Sequence, residues 1–200
     1  MPHPPLVLAS SSSFRRTLLE RLGLPFTIAV SDVDETRRPD ESPQELVVRL
    51  AETKARAVVA DHPNALIIGS DQVAYLEGRV IGKPGGRAQA IAQLTRASAR
   101  QVVFYTGLCL FNAATGYAQL CCEPFRVHFR HLSPARIEAY IDRERPFNCA
   151  GSFRSEGLGI ALFERLEGED PNALIGLPLM RLISMLEAEG IDLLDPMRDT

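Results

Sequence analysis

No run of apolar residues in this chain approaches the length needed to cross a bilayer. The opening Met1-Pro2-His3-Pro4-Pro5 has no Lys or Arg, and the apolar run after it is too short for a secretory leader. A cytoplasmic protein with no membrane partner is expected. The cysteines are few, Cys109, Cys121, Cys122 and Cys149, and none has CxxC spacing. Adjacent Cys121 and Cys122 suit neither a routine disulfide nor a pair of zinc ligands, so reduced structural thiols are expected. Basic residues are not in excess: 22 Lys and Arg against 25 Asp and Glu leave a net charge of −3. That argues against a general grip on DNA or RNA polymers, so any phosphate would be met in a local basic pocket. Walker-A, GxGxxG and GxSxG patterns are also missing, which withdraws support for those chemistries. No repeat, low-complexity stretch or linker interrupts the 200 residues, a length that suits one domain (1–200) with a sizeable core.

What is present is an interleaving of strand and helix signals. Residues 6–9 read as a short buried strand and 14–22 as a helix stopped by Gly23. Residues 25–30 read as extended and 31–41 as a polar, acidic loop. Ser42 opens a helix to about residue 60, with Pro43 in the first helical position and Glu45 completing a capping box. Residues 65–74 form a strand, Glu77-Gly78 a hairpin turn and 87–97 a helix. Two long strands, 101–112 and 117–129, make a hairpin. Ser133 caps a helix from 134 to about 145. Beyond the Gly- and Ser-rich segment 151–159 come a strand over 160–166, a polar loop to 172 and a last helix over 177–189. The core is expected over 6–190, with 191–200 a frayed tail. A long hairpin amid alternating elements predicts a mixed α/β sheet.

Several residues break the local pattern. In residues 6–16, LVLASSSSFRR, a strand opens into four serines, Phe14 and the pair Arg15-Arg16. Helix N-termini attract anions and Arg matches phosphate oxygens, so this is either an anion site or an over-capped helix. Asp71 ends the apolar run 66–70, where an unpaired carboxylate is costly. Ligands of open α/β sheets bind at strand carboxyl ends, and that favours a functional Asp71 over a simple exit cap. Lys54 falls on the apolar face of its helix, four residues from both Leu50 and Val58, with its ammonium carried to a pocket rim or to bulk water. Lys83, between Gly82 and Pro84, is a fixed point charge or an ordinary turn lysine. Asp34 and Glu35 make sense near phosphate only with a bridging divalent cation; otherwise they are a solvated loop. His128 and His131 have no third ligand in view and read as surface or structural residues.

In order along the chain stand SxSxxRR, VDET (33–36), RLAxxKA (49–55), GSDQ (69–72), GKP (82–84) and GxDxNxxxGLPL (168–179). Together they resemble the Maf family of nucleoside triphosphate pyrophosphatases over nearly the whole chain. The resemblance implies an α/β fold with a mixed twisted sheet, flanking helices and two lobes around a central cleft, as in Maf and ITPase-like proteins. It implies hydrolysis of a nucleoside triphosphate to monophosphate and pyrophosphate with a divalent cation, Mg²⁺ or Mn²⁺. A homodimer is the assembly such families suggest. Ser10, Arg15 and Arg16 match the phosphate-binding segment, and Glu35, Lys54, Asp71 and Lys83 the catalytic set. Asp71 is the implied proton acceptor and, with Glu35, the implied metal ligand. Ser13 departs from the usual Pro of SxSPRR, which removes a preset φ angle but no charge.

Phe14, Gln72 and Glu156, with FYTGL (104–108), VHFRHL (127–132) and CAGSFRSEG (149–157), resemble the branch acting on 7-methyl-GTP. A carboxylate such as Glu156 accepts both N1–H and the 2-amino group of guanine. N7-methylation makes the base cationic, which favours a negative Glu and an aromatic face such as Phe14. Two rival readings are a broader-specificity enzyme on canonical or modified nucleotides and a non-catalytic nucleotide sensor regulating cell division. An intact Asp71 and Lys83 argue against the sensor.

Overall fold

Two short apolar strands, β1 (Leu6–Leu8) and β2 (Phe26–Ile28), run parallel, and β1 also runs parallel to the start of β3 (Leu66–Leu76). The computed structural model describes residues 3–30 and 32–195. Beyond β3 the sheet turns antiparallel through β5 (Gln101–Asn112), β6 (Tyr117–Phe129) and β7 (Phe163–Glu167). The order is β2-β1-β3-β5-β6-β7, with β4 (Arg79–Ile81) folded back on β3. The helices are α1 (Ser13–Glu20), α2 (Pro43–Ala57), α3 (Arg87–Ala97), α4 (Pro134–Glu144), α5 (Pro171–Ile175) and α6 (Leu179–Ala188). This is the mixed α/β sheet expected from the sequence. Among the described residues no helix is long and apolar enough to cross a membrane.

Strand alternation sorts the core. Leu66 and Ile68 of β3 face α1 and α6, in a cluster with Leu6, Leu8, Leu19 and Leu182. Ile67, Val7 and Cys109 face the other way, against Ala51 and Ala55 of α2. A third cluster covers the far ends of the long strands with α3 and α4, and holds Phe104, Phe129, Phe153 and Phe163.

Helix α2 lies unusually close to the sheet. A Cβ on Gly69 would stand 2.0 Å from the Ala51 carbonyl oxygen, and one on Gly107 would stand 2.1 Å from that of Val47. Only glycine at these two places lets the helix backbone rest on the strands. Asp71 follows Gly69 by two residues, so it points to the same face and meets α2 one turn further along.

Four expectations are corrected. The strand expected over 65–74 runs on to Leu76, so Asp71 does not stand at a strand exit. Pairing with β1 stops at Ile68, however, so Asp71 lies just past the carboxyl end of the parallel portion, and β3 continues because β5 goes on pairing it, with Gly107 opposite Asp71. The strand expected from 160 begins at Phe163, after a 3-10 turn (Leu158–Leu162) that packs Leu158 and Leu162 on the core. A short apolar run reads equally as strand or turn by periodicity. The polar loop before the last helix contains α5, five residues long and started by Asp170 and Pro171. The core also reaches beyond residue 190, because Ile191 is buried and Leu193 packs beside it. Leu194 is exposed, and residues 196–200 of the expected tail lie outside the described residues.

A methyl group at either close contact must push α2 off the sheet. G69A is expected to lose about 1–3 kcal/mol, the usual range for overpacking, in urea unfolding. An unchanged midpoint and slope would show that the helix seat tolerates the methyl.

Candidate active site

One cavity of about 1070 Å³ opens where the clusters meet. It is lined by the turn after β1 with the start of α1, by β3 and α2, and by the loop 82–83 with residues of segment 148–156. Helix α2 presents two stripes. Val47, Ala51 and Ala55 are buried toward the sheet, while Leu46, Leu50 and Lys54, four residues apart, line the cavity.

Lys54 is the centre of a polar cluster. Its Nζ lies 2.6 Å from Asp71 Oδ1 and 2.6 Å from Glu35 Oε1. Lys54 and Asp71 are both buried, whereas the Glu35 side chain is 59% exposed, so the Asp71 limb is the stronger. The ammonium therefore reaches a pocket and not bulk water. Burial works against the Glu35 carboxylate, yet the Lys54 hydrogen bond and charge, helped by Lys83 and Arg15, hold it below its usual range. Burial lowers the Arg15 guanidinium from its usual value, and the pull of Asp71 and Glu35 opposes that.

The serine cluster divides its work. Ser12 caps α1 by accepting from the Arg15 N–H, and buried Ser10 accepts from the Ser12 N–H and from Arg15 Nη1 at 3.3 Å. Arg15 Nε donates to the Gly176 carbonyl at 2.8 Å, which turns its guanidinium along the cavity wall. Arg16 is not brought to this site. It is exposed, pairs with Glu20 one turn on at 2.8 Å, and lies outside the lining. Adjacent residues on a helix point about 100° apart, so only one of the two arginines can face the cavity. Asp34 is also outside it, its Oδ1 accepting from the Thr36 N–H.

Lys83 is exposed on the rim. Phe14 and Glu156 line the same cavity, on α1 and on segment 148–156. Gln72 lines it too, but its amide donors are taken by Thr106 Oγ1 and the Ala173 and Leu174 carbonyls, so its carbonyl oxygen is what it can offer. The segment carrying Glu156 is pinned ahead of it. Phe153 stacks edge-on against Phe104, Phe129 and Phe163, Ser152 Oγ donates to Gln93, and the Tyr140 hydroxyl accepts from the Arg154 N–H.

The family model described as Maf-like protein matches residues 5–189. The chain belongs to the Maf family. The 7-methyl-GTP pyrophosphatase of Alcanivorax borkumensis is 60% identical over 190 residues, 95% of this chain and 96% of the relative. That of Nitrosococcus oceani is 58% identical over 194 residues, 96% of this chain and 98% of the relative.

Several residues of this Maf chain that support or line the cavity stood in the sequence only as motif letters, with no role assigned. Ser70 Oγ donates to the Gly107 and Gly176 carbonyls, tying β3 to β5 and to the end of α5. Asp170 joins α5 to α6, with Oδ1 accepting from the Asn172 N–H and Oδ2 from that of Met180. These belong to GxDxNxxxGLPL, whose spacing alone says nothing of which carbonyl Arg15 meets. Arg154 lines the cavity, with Nη2 on the Glu144 carbonyl and a buried Nε that has no hydrogen-bond partner among the described residues. Its place two residues before Glu156 was the available signal. His128 bonds Glu167 on β7 and is not part of the lining.

Removing Lys54 strands a buried carboxylate. K54M is expected to cost about 3–5 kcal/mol in chemical unfolding, and K54M/D71N to recover much of that. Equal instability of single and double variants would show that the pair is not the cause.

Proposed function

We propose that this protein hydrolyses 7-methyl-GTP to 7-methyl-GMP and pyrophosphate, by attack of water on the α-phosphorus. The observation that carries the proposal is the bridging of Asp71 and Glu35 by Lys54 in a cavity whose lining also includes Arg15, Lys83, Phe14 and Glu156. The volume accommodates a nucleoside triphosphate and a water molecule. Names of relatives about 60% identical over nearly their full length support the same reading.

Asp71 has one oxygen tied to Lys54, and the other is the proton acceptor for the attacking water. Lys54 holds that carboxylate in place. As water adds, the bond from the α-phosphorus to the bridging oxygen of pyrophosphate breaks, and negative charge builds on the phosphate oxygens. Arg15, Lys54 and Lys83 orient the triphosphate and stabilise that charge, with Ser10 holding Arg15. Arg16 meets a phosphate only if it leaves Glu20.

The carboxylates also fit a divalent cation. Both approach one ammonium, so their oxygens flank a common point, although among the described residues no three His, Cys, Asp or Glu side chains cluster around a metal position. Mg²⁺ is commonly held by one or two carboxylates with substrate phosphates and water completing the shell. Asp71 and Glu35 would hold Mg²⁺ or Mn²⁺, which when bound neutralises charge on the triphosphate and the leaving pyrophosphate.

For the base, Glu156 accepts the N1–H and 2-amino donors of guanine, and its charge suits the cationic methylated ring. Phe14 offers that ring an aromatic face. Gln72 adds a carbonyl acceptor.

A pyrophosphate-release panel over common and N7-methylated nucleoside triphosphates, with and without Mg²⁺, tests the proposal. 7-methyl-GTP is expected to be the best substrate, with activity lost on chelation. D71N should lower kcat by about 10²–10⁴-fold without loss of fold. E156Q should narrow the preference for 7-methyl-GTP over UTP by roughly tenfold or more, the worth of a hydrogen bond to a charged group. Full activity of D71N, or an unchanged preference in E156Q, would overturn the corresponding assignment.

A further inference from the structure

Between β2 and α2 the described residues form no regular secondary structure, yet this segment delivers Glu35, a largely exposed side chain, to within 2.6 Å of Lys54 Nζ. A long surface loop does not hold such a geometry by itself. The restraint comes from Arg49 on α2. Its Nε donates to Glu41 Oε1 at 2.5 Å, and its Nη2 donates to Glu41 Oε2 at 2.9 Å and to the Thr36 carbonyl at 3.1 Å. Thr36 is the residue after Glu35.

Glu41 is itself anchored. Its side chain is only 7% exposed, Oε2 also accepts from the Arg38 N–H at 3.0 Å, and its carbonyl accepts from the Arg37 guanidinium. The Arg49 hydrogen bond holds the Glu41 carboxyl at about 2, so it is ionised throughout the neutral range. Arg49 precedes Lys54 by five residues on one helix, and that helix is seated on the sheet at Gly69 and Gly107. The rigid element that carries Lys54 therefore also grips the loop just after Glu35, at Thr36 and at Glu41. Neither Arg49 nor Glu41 lines the large cavity.

We infer that Arg49 and Glu41 are positioning residues, a clamp that holds Glu35 against Lys54 and so sets the geometry of the carboxylate pair without touching substrate. The inference rests on the reading of that pair under the proposed function. The planar fork of Arg49 spans three acceptors, which a lysine ammonium in its place does not.

R49K measured in the parent and in an E35Q background tests the clamp, with two readouts. In the parent, R49K lowers kcat/KM for 7-methyl-GTP by about tenfold to a hundredfold, the loss that goes with a misplaced catalytic group. In E35Q, whose carboxylate is already gone, R49K costs less than about twofold, because the two changes act through one another. Hydrogen–deuterium exchange of segment 32–41 rises in R49K, while β3 and β5 stay protected. Equal losses in the two backgrounds, or unchanged exchange in 32–41, would overturn the clamp. If R49K does not fold, E41Q carries the same two readouts. A parent inactive on 7-methyl-GTP defeats the functional reading alone; exchange in 32–41 then decides the clamp, a rise supporting it and no change overturning it.

Discussion

The contact on which the structure depends is a buried ammonium shared between two carboxylates. A lysine on the apolar face of a helix would normally carry its charge out to water. Lys54 does not, because the sheet below it offers Asp71, and the loop above it offers Glu35, each at 2.6 Å. Desolvating a charge pair is costly, and an uncompensated member is costlier still. Under the proposed function that cost places fixed charges where the charge of a triphosphate is met, and in a low-dielectric site such charges act more strongly than in solvent.

Much of the surrounding architecture sets the height and angle of this contact. Gly69 and Gly107 let α2 rest on β3 and β5, so Lys54 reaches a strand residue directly. The Gly176 carbonyl, at the end of a helix capped by Asp170, accepts from both Ser70 and Arg15 and thereby fixes the arginine relative to β3. The aromatic cluster around Phe153 pins the segment that presents Glu156. The helix that carries Lys54 and the segment that carries Glu156 are thus anchored in different core clusters, and both line the cavity.

The long elements were legible in the sequence because their periods and caps are unambiguous. The Ser42–Glu45 capping box, the 101–129 hairpin and the Gly69-Ser70-Asp71-Gln72 run all lie where the residues indicate. Asp71 and Lys54 stood out because each violates the burial rule of its own element, and the structure joins the two violations. The partner that completes each contact was not legible. Nothing in residues 168–179 says that a backbone carbonyl there will receive Arg15, and α5 is too short to show a helical period. Arg15 and Arg16 look equivalent as letters; the helix turns one toward the cavity and the other toward Glu20.

The proposed function makes Asp71 the proton acceptor for attack at the α-phosphorus, with the cations around it receiving pyrophosphate. Hydrolysis of 7-methyl-GTP in heavy-oxygen water tests that most directly. Attack at the α-phosphorus places the label in 7-methyl-GMP and leaves the released pyrophosphate unlabelled. Label in pyrophosphate, or release of orthophosphate in its place, would contradict it.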